Sequence, residues 1–316
     1  MKVIDLINSS KSTAFSFEIL PPLKGNSIQK VYNVIDKLIE FDPKYINITS
    51  HHSEYIYKTL PDGSFQKINI RKRPGSVAIA SAIQNKYGIT AVPHIICKGC
   101  TKDETEYALI DLNFLGVYDL LLLRGDVKTL EAGQKTDIYH EHATDLQKQV
   151  NDFNKGIAID GSAFEANETP FSYGMACYPE KHEEAPNMES DIFYLKEKVK
   201  NGADYLVTQM FFDNEKYYAF VDRCRAEGIT VPIIPGIKPI VFKNQLTVLP
   251  KIFRSDIPEP FATELRKCKT DDEAKAVGVE WCIQQCKDLI AHGVPSLHFY
   301  TMMASDSVYK VAKEVY

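Results

Sequence analysis

Four strand-like runs of this chain each carry, within them or at their ends, an ionisable or amide side chain set among apolar residues. Glu18 lies in Thr13-Ala14-Phe15-Ser16-Phe17-Glu18-Ile19-Leu20, closed by Pro21-Pro22, and His94 lies in Ala91-Val92-Pro93-His94-Ile95-Ile96-Cys97. Arg124-Gly125-Asp126 ends the run Asp119-Leu120-Leu121-Leu122-Leu123, and Gln209 lies in the run 204–212. An apolar run of this length bounded by turn chemistry reads as a parallel strand covered on both faces. The carboxyl ends of such strands are where α/β sheets and barrels place ligand-binding groups, and Gly125 lets backbone come close to a bound molecule. One polar residue in a strand, His94 for instance, commonly reads as a satisfied core group. Several converging at strand ends read as a site for small-molecule chemistry.

The elements that must position these residues alternate along the chain. Strand-like runs fall at 13–20, 44–49, 91–97, 119–123, 171–177, 204–212, 231–236 and 296–301. Helical spacing is predicted over 27–41, 75–87, 101–115, 140–151, 190–201, 215–227 and, as a group, 241–292. Thr101-Lys102-Asp103-Glu104 is a capping pattern. The charged, turn-rich excursion 55–73, with Pro61-Asp62-Gly63, predicts a hairpin inserted after the second strand, and the Gly/Ala-rich stretch 156–169 predicts a surface loop. Eight strands, most followed by a helix, close naturally as a (β/α)8 (TIM) barrel, with residues 1–316 as a single catalytic domain. A doubly wound sheet binding a dinucleotide would show a glycine-rich first turn, which is absent.

Composition fits. With 316 residues and 44% hydrophobic content the chain can bury one large core. A formal net charge of −5 with no Lys/Arg-rich run argues against a general nucleic-acid binder. No run is long enough to span a bilayer, and Met1-Lys2-Val3-Ile4-Asp5 lacks a signal-peptide core, so a cytoplasmic location without a membrane partner is expected. Seven scattered cysteines suit reduced thiols. Cys97-Lys98-Gly99-Cys100 has no second pair at ligand spacing, and no metal site is expected. Oligomeric state is not fixed, which leaves a homo-oligomer open.

An ordered set of motifs spans almost the whole chain: Phe15-Ser16-Phe17-Glu18-Ile19-Leu20-Pro21-Pro22, Pro93-His94, Leu123-Arg124-Gly125-Asp126, Tyr178-Pro179-Glu180-Lys181-His182, Thr208-Gln209-Met210-Phe211-Phe212-Asp213, Pro235-Gly236-Ile237-Lys238-Pro239 and His298-Phe299-Tyr300-Thr301. In order and approximate spacing this set resembles the flavin-dependent methylenetetrahydrofolate reductases. The resemblance implies a barrel carrying non-covalent FAD, which passes a hydride from NADH or NADPH to 5,10-methylenetetrahydrofolate. The product, 5-methyltetrahydrofolate, feeds methionine synthesis. It also implies the short bacterial catalytic form, without the regulatory domain of larger eukaryotic enzymes.

The resemblance assigns roles position by position. Glu18 matches the general acid that protonates N10 of the folate, a task for which burial should raise its pKa toward neutrality. Asp126 matches the acidic residue beside flavin and pterin, where a carboxylate steadies the N5 iminium cation. Thr49, His94, Arg124, Gly125, Asp126, Ala143, Tyr178, His182, Asp191 and Lys198 match flavin-contacting positions. Arg124 and Lys198 suit the pyrophosphate, and Asp191 and Lys198 fall near one face of a predicted helix, which without the family would read as a solvated face. Gln209 and Gln245 match amides that hydrogen-bond the pterin or the nicotinamide.

Departures from the family pattern are Ser50-His51-His52 after the second strand, His142, Tyr194, Glu197, Leu249 and Ala304, the last where an arginine often holds the folate glutamate tail. Two other readings compete. A flavin barrel of proline dehydrogenase type would need a cationic carboxylate clamp in place of Glu18 and Gln209, and a non-catalytic folate or flavin-binding protein would have no use for an acid at Glu18.

Overall fold

A computed structural model of the chain describes residues 1–51, 54–125, 138–302 and 305–316. The expectations placed on Asp126, His52 and Ala304 lie outside the described residues. The chain opens with α1 (Val3–Ser9), β1 (Ala14–Ile19), α2 (Gln29–Leu38) and β2 (Tyr45–Ile48). The pair β3 (Glu54–Thr59) and β4 (Phe65–Ile70) comes next, followed by α3 (Ser76–Tyr87), β5 (Thr90–Ile96), α4 (Lys102–Phe114) and β6 (Asp119–Leu123). Then come α5 (Ala143–Asn154), β7 (Ser172–Cys177), α6 (Met188–Lys200), β8 (Tyr205–Thr208), α7 (Asn214–Ala226), β9 (Ile233–Ile234) and β10 (Gly236–Ile237). The last elements are α8 (Gln245–Phe253), α9 (Glu259–Lys267), α10 (Asp271–Ala291), β11 (Ser296–Tyr300) and α11 (Ser305–Val315).

The strands pair in parallel in the order β10-β11-β1-β2-β5-β6-β7-β8-β9. β9 pairs with β8 while β10 pairs with β11, so the two are halves of one barrel strand broken at Pro235. A proline has no N–H to give a ladder, but its carbonyl still accepts, and Pro235 O takes the His298 N–H at 3.1 Å. The barrel closes there. The expected hairpin is also present: β3 and β4 are antiparallel, and the Asp62 carboxylate accepts from the backbone and hydroxyl of Ser64 at 2.9 and 2.6 Å. Lys24 N–H donates to Lys72 O at 2.7 Å, which ties the base of the hairpin to the loop after β1.

Alternation along the strands builds two separate cores. Phe15, Phe17 and Ile19 of β1 pack outward with Val31, Ile35 and Leu38 of α2, in the large shell between sheet and helices. Tyr45, Val92, Leu121, Tyr205, Val207 and Ile234 point inward and fill the barrel. Val3 and Ile7 of α1 join this inner cluster, and the Val3 N–H donates to the Asp119 carboxylate at 2.8 Å. α1 thereby seals the amino-terminal end of the barrel. Sequence periodicity did not reveal it, because so short a helix repeats its pattern too few times.

Other differences from expectation are at element ends. The 204–212 run is a strand only to Thr208; Gln209 N–H still reaches Cys177 O at 2.8 Å, but its own side-chain oxygen accepts from Met210 N at 2.9 Å and turns the chain. The helix expected from 140 begins at Ala143, where Asp145 accepts from the His142 N–H at 2.9 Å, and the one expected from 190 begins at Met188, capped by Asn187. The predicted cap on α4 is present, with Thr101 and Glu104 exchanging bonds at 2.9 and 3.1 Å. Stretch 241–292 divides into three helices, interrupted by Pro258 and by the Thr270 cap.

One interior contact tests this arrangement. A Cβ on Gly174 would lie 2.3 Å from Cε2 of Tyr205, inside the rigid ring of a fully buried residue. Gly174→Ala should lower stability by about 1–3 kcal/mol through overpacking, read as a lower urea midpoint. An unchanged midpoint would mean that the Tyr205 ring does not stand over Gly174.

Candidate active site at the barrel mouth

The carboxyl ends of the strands bring the polar residues together at the end of the barrel opposite α1. Glu18 is 6% exposed, and its Oε2 lies 3.7 Å from Nε2 of His94 on β5. This is not an ion pair at neutral pH. Burial, with the neighbouring His298 and His51, pushes the His94 pKa down to about 3 and keeps its ring neutral. His298 on β11 is likewise pushed to about 3 by burial, and its Nδ1 lies 2.9 Å from the Ser16 hydroxyl. The Nε2 atoms of both rings are buried without a hydrogen-bond partner among the described residues.

β11 shapes the rest of this wall. Thr301 donates its hydroxyl to the carbonyl of Glu18. Tyr300 sits opposite Glu18 in the register, yet its hydroxyl donates across the barrel to Thr208 O at 2.6 Å. The ring fits because Gly236 has no side chain; a Cβ there would meet Tyr300 Cε2 at 2.5 Å. Lys238, two residues further on, is 8% exposed and within electrostatic reach of Glu18. Its motif is visible in the sequence, but nothing local marks the lysine as a mouth residue.

A second group of residues gathers at the ends of β6 and β7. Arg124 places both terminal nitrogens on the Glu184 carboxylate, a two-point contact that raises the guanidinium pKa and lowers the carboxyl. Its Nε is buried without a partner among the described residues. Gly125 follows at φ +89°, a left-handed conformation that favours glycine. Tyr178 and His182 meet edge to face at 4.7 Å, and the His182 N–H donates to Asp191 at 2.9 Å. Burial lowers the His182 pKa, and desolvation lowers that of Lys198 against the pull of Asp191. Lys198 Nζ donates to Ala176 O at 3.0 Å. Asp191 and Lys198 are therefore on the barrel side of α6, not on a solvated face. Tyr194, one of the departures, is on the outer side at 58% exposure.

The remaining expected residues lie after β2 and at the starts of α5 and α8. The Thr49 hydroxyl lies 3.4 Å from Ile19 O and 3.2 Å from His51 Nε2. Ala143 is the first residue of α5 and packs against the outer core, while Asp145 in the same turn bears on Cys97, which also feels Arg124. Gln245 opens α8, and its side-chain oxygen accepts from Val241 N at 2.7 Å and Phe242 N at 3.1 Å. Gln209 and Gln245 thus commit their oxygens to backbone. Leu249 is buried with Met210 and Phe212. Burial pushes Cys97 and Cys100 to about 12 and 11, which makes them inert thiols. Among the described residues no three His, Cys, Asp or Glu side chains group as a metal site, and no helix is long and apolar enough to cross a membrane.

Residues 2–316 match the family described as methylenetetrahydrofolate reductase. The 5,10-methylenetetrahydrofolate reductase of Escherichia coli is 30% identical over 297 residues, covering 94% of this chain and 88% of that protein. That of Buchnera aphidicola is 31% identical, with 98% and 93% covered. A probable methylenetetrahydrofolate reductase (NADPH) of Caenorhabditis elegans is 30% identical over 99% of this chain, which spans 43% of that protein; the chain spans 49% of a methylenetetrahydrofolate reductase (NADH) of Arabidopsis thaliana. Among solved structures, an uncharacterized protein from Clostridium thermocellum that binds two copies of 5-methyl-5,6,7,8-tetrahydrofolic acid shares the fold, with a TM-score of 0.58, 15% identity, and 98% and 96% coverage.

The two neutral imidazoles have a measurable consequence. An unfolded histidine takes up a proton near its ordinary 6.5, while the folded rings resist to about 3, so the unfolded state binds more protons in that window. Stability should be fully present above pH 6.5 and fall as pH drops below it, by up to about 1.4 kcal/mol per pH unit for each ring. Urea midpoints between pH 7 and 4.5 check the slope, which His298→Asn should reduce by one ring's share. A ring titrating between pH 5 and 7 by NMR would contradict the burial described for it.

Proposed function

Because the chain belongs to the methylenetetrahydrofolate reductase family, we propose that residues 1–316 act as one catalytic barrel. It reduces 5,10-methylenetetrahydrofolate to 5-methyltetrahydrofolate, with FAD at the barrel mouth and NADH or NADPH as reductant, and the product feeds methionine synthesis. The observation that carries this reading is Glu18, a nearly buried carboxyl at the open end of β1 with a neutral imidazole 3.7 Å away. Methylene-folate must open its five-membered ring before it can accept hydride, so N10 needs a proton. Glu18 is placed to give it. His94 cannot compete as the donor, since its ring is neutral. Asp126 is the proposed counter-charge for the N5 iminium cation.

The second group of residues fits FAD. Arg124 has a buried Nε with no partner among the described residues, Lys198 spends one N–H on Ala176 O, and Gly125 keeps the strand end bare of side chain. These groups would hold the pyrophosphate, with Thr49, His94, Ala143, Tyr178, His182 and Asp191 lining the same end. When bound, FAD supplies a two-electron carrier between nicotinamide and folate. Gln209 and Gln245, whose oxygens are occupied by backbone donors, offer NH₂ groups to a pterin or nicotinamide acceptor.

Glu18→Gln keeps the shape and removes the proton. Bleaching of the yellow holoenzyme by NADH under anaerobic conditions should stay near normal, while reoxidation by methylenetetrahydrofolate falls by about two to four orders of magnitude. Equal losses in both half-reactions would give Glu18 a structural role. A colourless protein that cannot be reconstituted with FAD would refute the cofactor.

A further inference from the structure

Lys238 is a charged residue of the barrel mouth that the chemistry above does not use. Phe299 pairs with both Ile237 and Phe17, which places Lys238, one residue beyond β10, level with Tyr300 of β11 and Glu18 of β1. Ile237, Phe299 and Phe17 pack outward in the shell beneath the helices, so the residues that follow them face into the barrel. Lys238 is 8% exposed, and among the described residues its ammonium has no hydrogen bond or ion pair. Burial disfavours its charge and Glu18 favours it.

Among the described residues, the rings that face Glu18 from β5 and β11 supply no positive charge. β5 presents neutral His94, and β11 presents neutral His298 together with Tyr300, whose hydroxyl is turned to Thr208. β2 presents uncharged Asn47, then Thr49 and the exposed imidazole of His51. A buried, unpaired ammonium costs folding free energy, so packing alone gives no reason for this side chain. Its charge becomes favourable when a neighbour turns negative, as Glu18 does on giving up its proton.

We propose that Lys238 is a positioning residue for the proton on Glu18, its ammonium offsetting the charge left on the carboxylate as the proton moves to the folate. The inference rests on the folate-reducing reading. In the step, the Glu18 O–H bond breaks and an N10–H bond forms. The electron pair of the bond between the methylene carbon and N10 goes to N10, and the N5 lone pair closes the iminium. Substrate gains one positive charge and Glu18 one negative charge.

The sign of the effect follows. A nearby cation favours the ionised carboxyl, so its removal makes Glu18 hold its proton to higher pH. Lys238→Met keeps length and apolar stem, and since the ammonium has no hydrogen bond or ion pair among the described residues the variant should fold at least as well, checked by thermal unfolding. Infrared difference spectra against Glu18→Gln read the protonated carboxyl band of Glu18 directly. In Lys238→Met that band should titrate about one to three pH units higher. The falling limb of the reoxidation rate with methylenetetrahydrofolate should move by the same interval, with a plateau about tenfold lower. Bleaching by NADH should keep its pH profile, and Lys238→Arg should keep the original titration. Should Lys238→Met fail to fold, the same band is read in Lys238→Gln. An unmoved carboxyl band overturns the proposal whatever the activity. A band that moves in a protein that does not reduce methylenetetrahydrofolate leaves the pairing intact and overturns the folate reading.

Discussion

A closed parallel sheet buries both faces of every strand, and the chemistry of this barrel depends on that constraint. Outward residues must match helices, inward residues must match one another, and water is kept from both. Seating α1 under the barrel closes one end with Val3 and Ile7. The polar inward residues then have a single open end, and their side chains settle their charges with each other there.

The consequences differ between the two halves of the mouth. On the β1, β5 and β11 side, the His94 and His298 imidazoles are kept neutral by burial, hydroxyls are spent on backbone carbonyls, and Glu18 and Lys238 are groups that can carry charge. On the β6 and β7 side, acids accompany the cations, Glu184 with Arg124 and Asp191 with Lys198, and the acid beside Lys198 opposes the lowering of its pKa by burial. The first environment suits moving a proton, and the second suits holding an anionic ligand. The Arg124 contact also shows that a ligand phosphate would have to share or displace Glu184, whose exposed side chain can swing away at small cost.

Most of the architecture was legible in the sequence because its signals are local. Apolar runs ending in turn residues mark the strands, Thr101 to Glu104 caps a helix, and Pro61-Asp62-Gly63 turns a hairpin; each depends on a few adjacent residues. Of the positions that matched the family, Glu18, Thr49, His94, Arg124, Gly125, Tyr178 and Gln209 stand in or just after strands, while Ala143, Asp191, Lys198 and Gln245 stand on helices. Boundaries were less legible. Gln209 leaves its strand as its side-chain oxygen accepts from the N–H of the next residue, and α1 is too short to show a period.

The sequence by itself determined which chemical groups stand at the ends of the strands and in what order. Only the tertiary structure decided which of them touch and which keep their charge. His94 meets Glu18, Tyr300 passes Glu18 by for Thr208, Arg124 engages Glu184, and Lys238 comes level with Glu18 across β11. The physical reason is that these contacts join residues far apart in the chain, through register and barrel closure that no local pattern encodes. Protonation is equally nonlocal, because it depends on how completely the whole barrel excludes water from a ring or an ammonium.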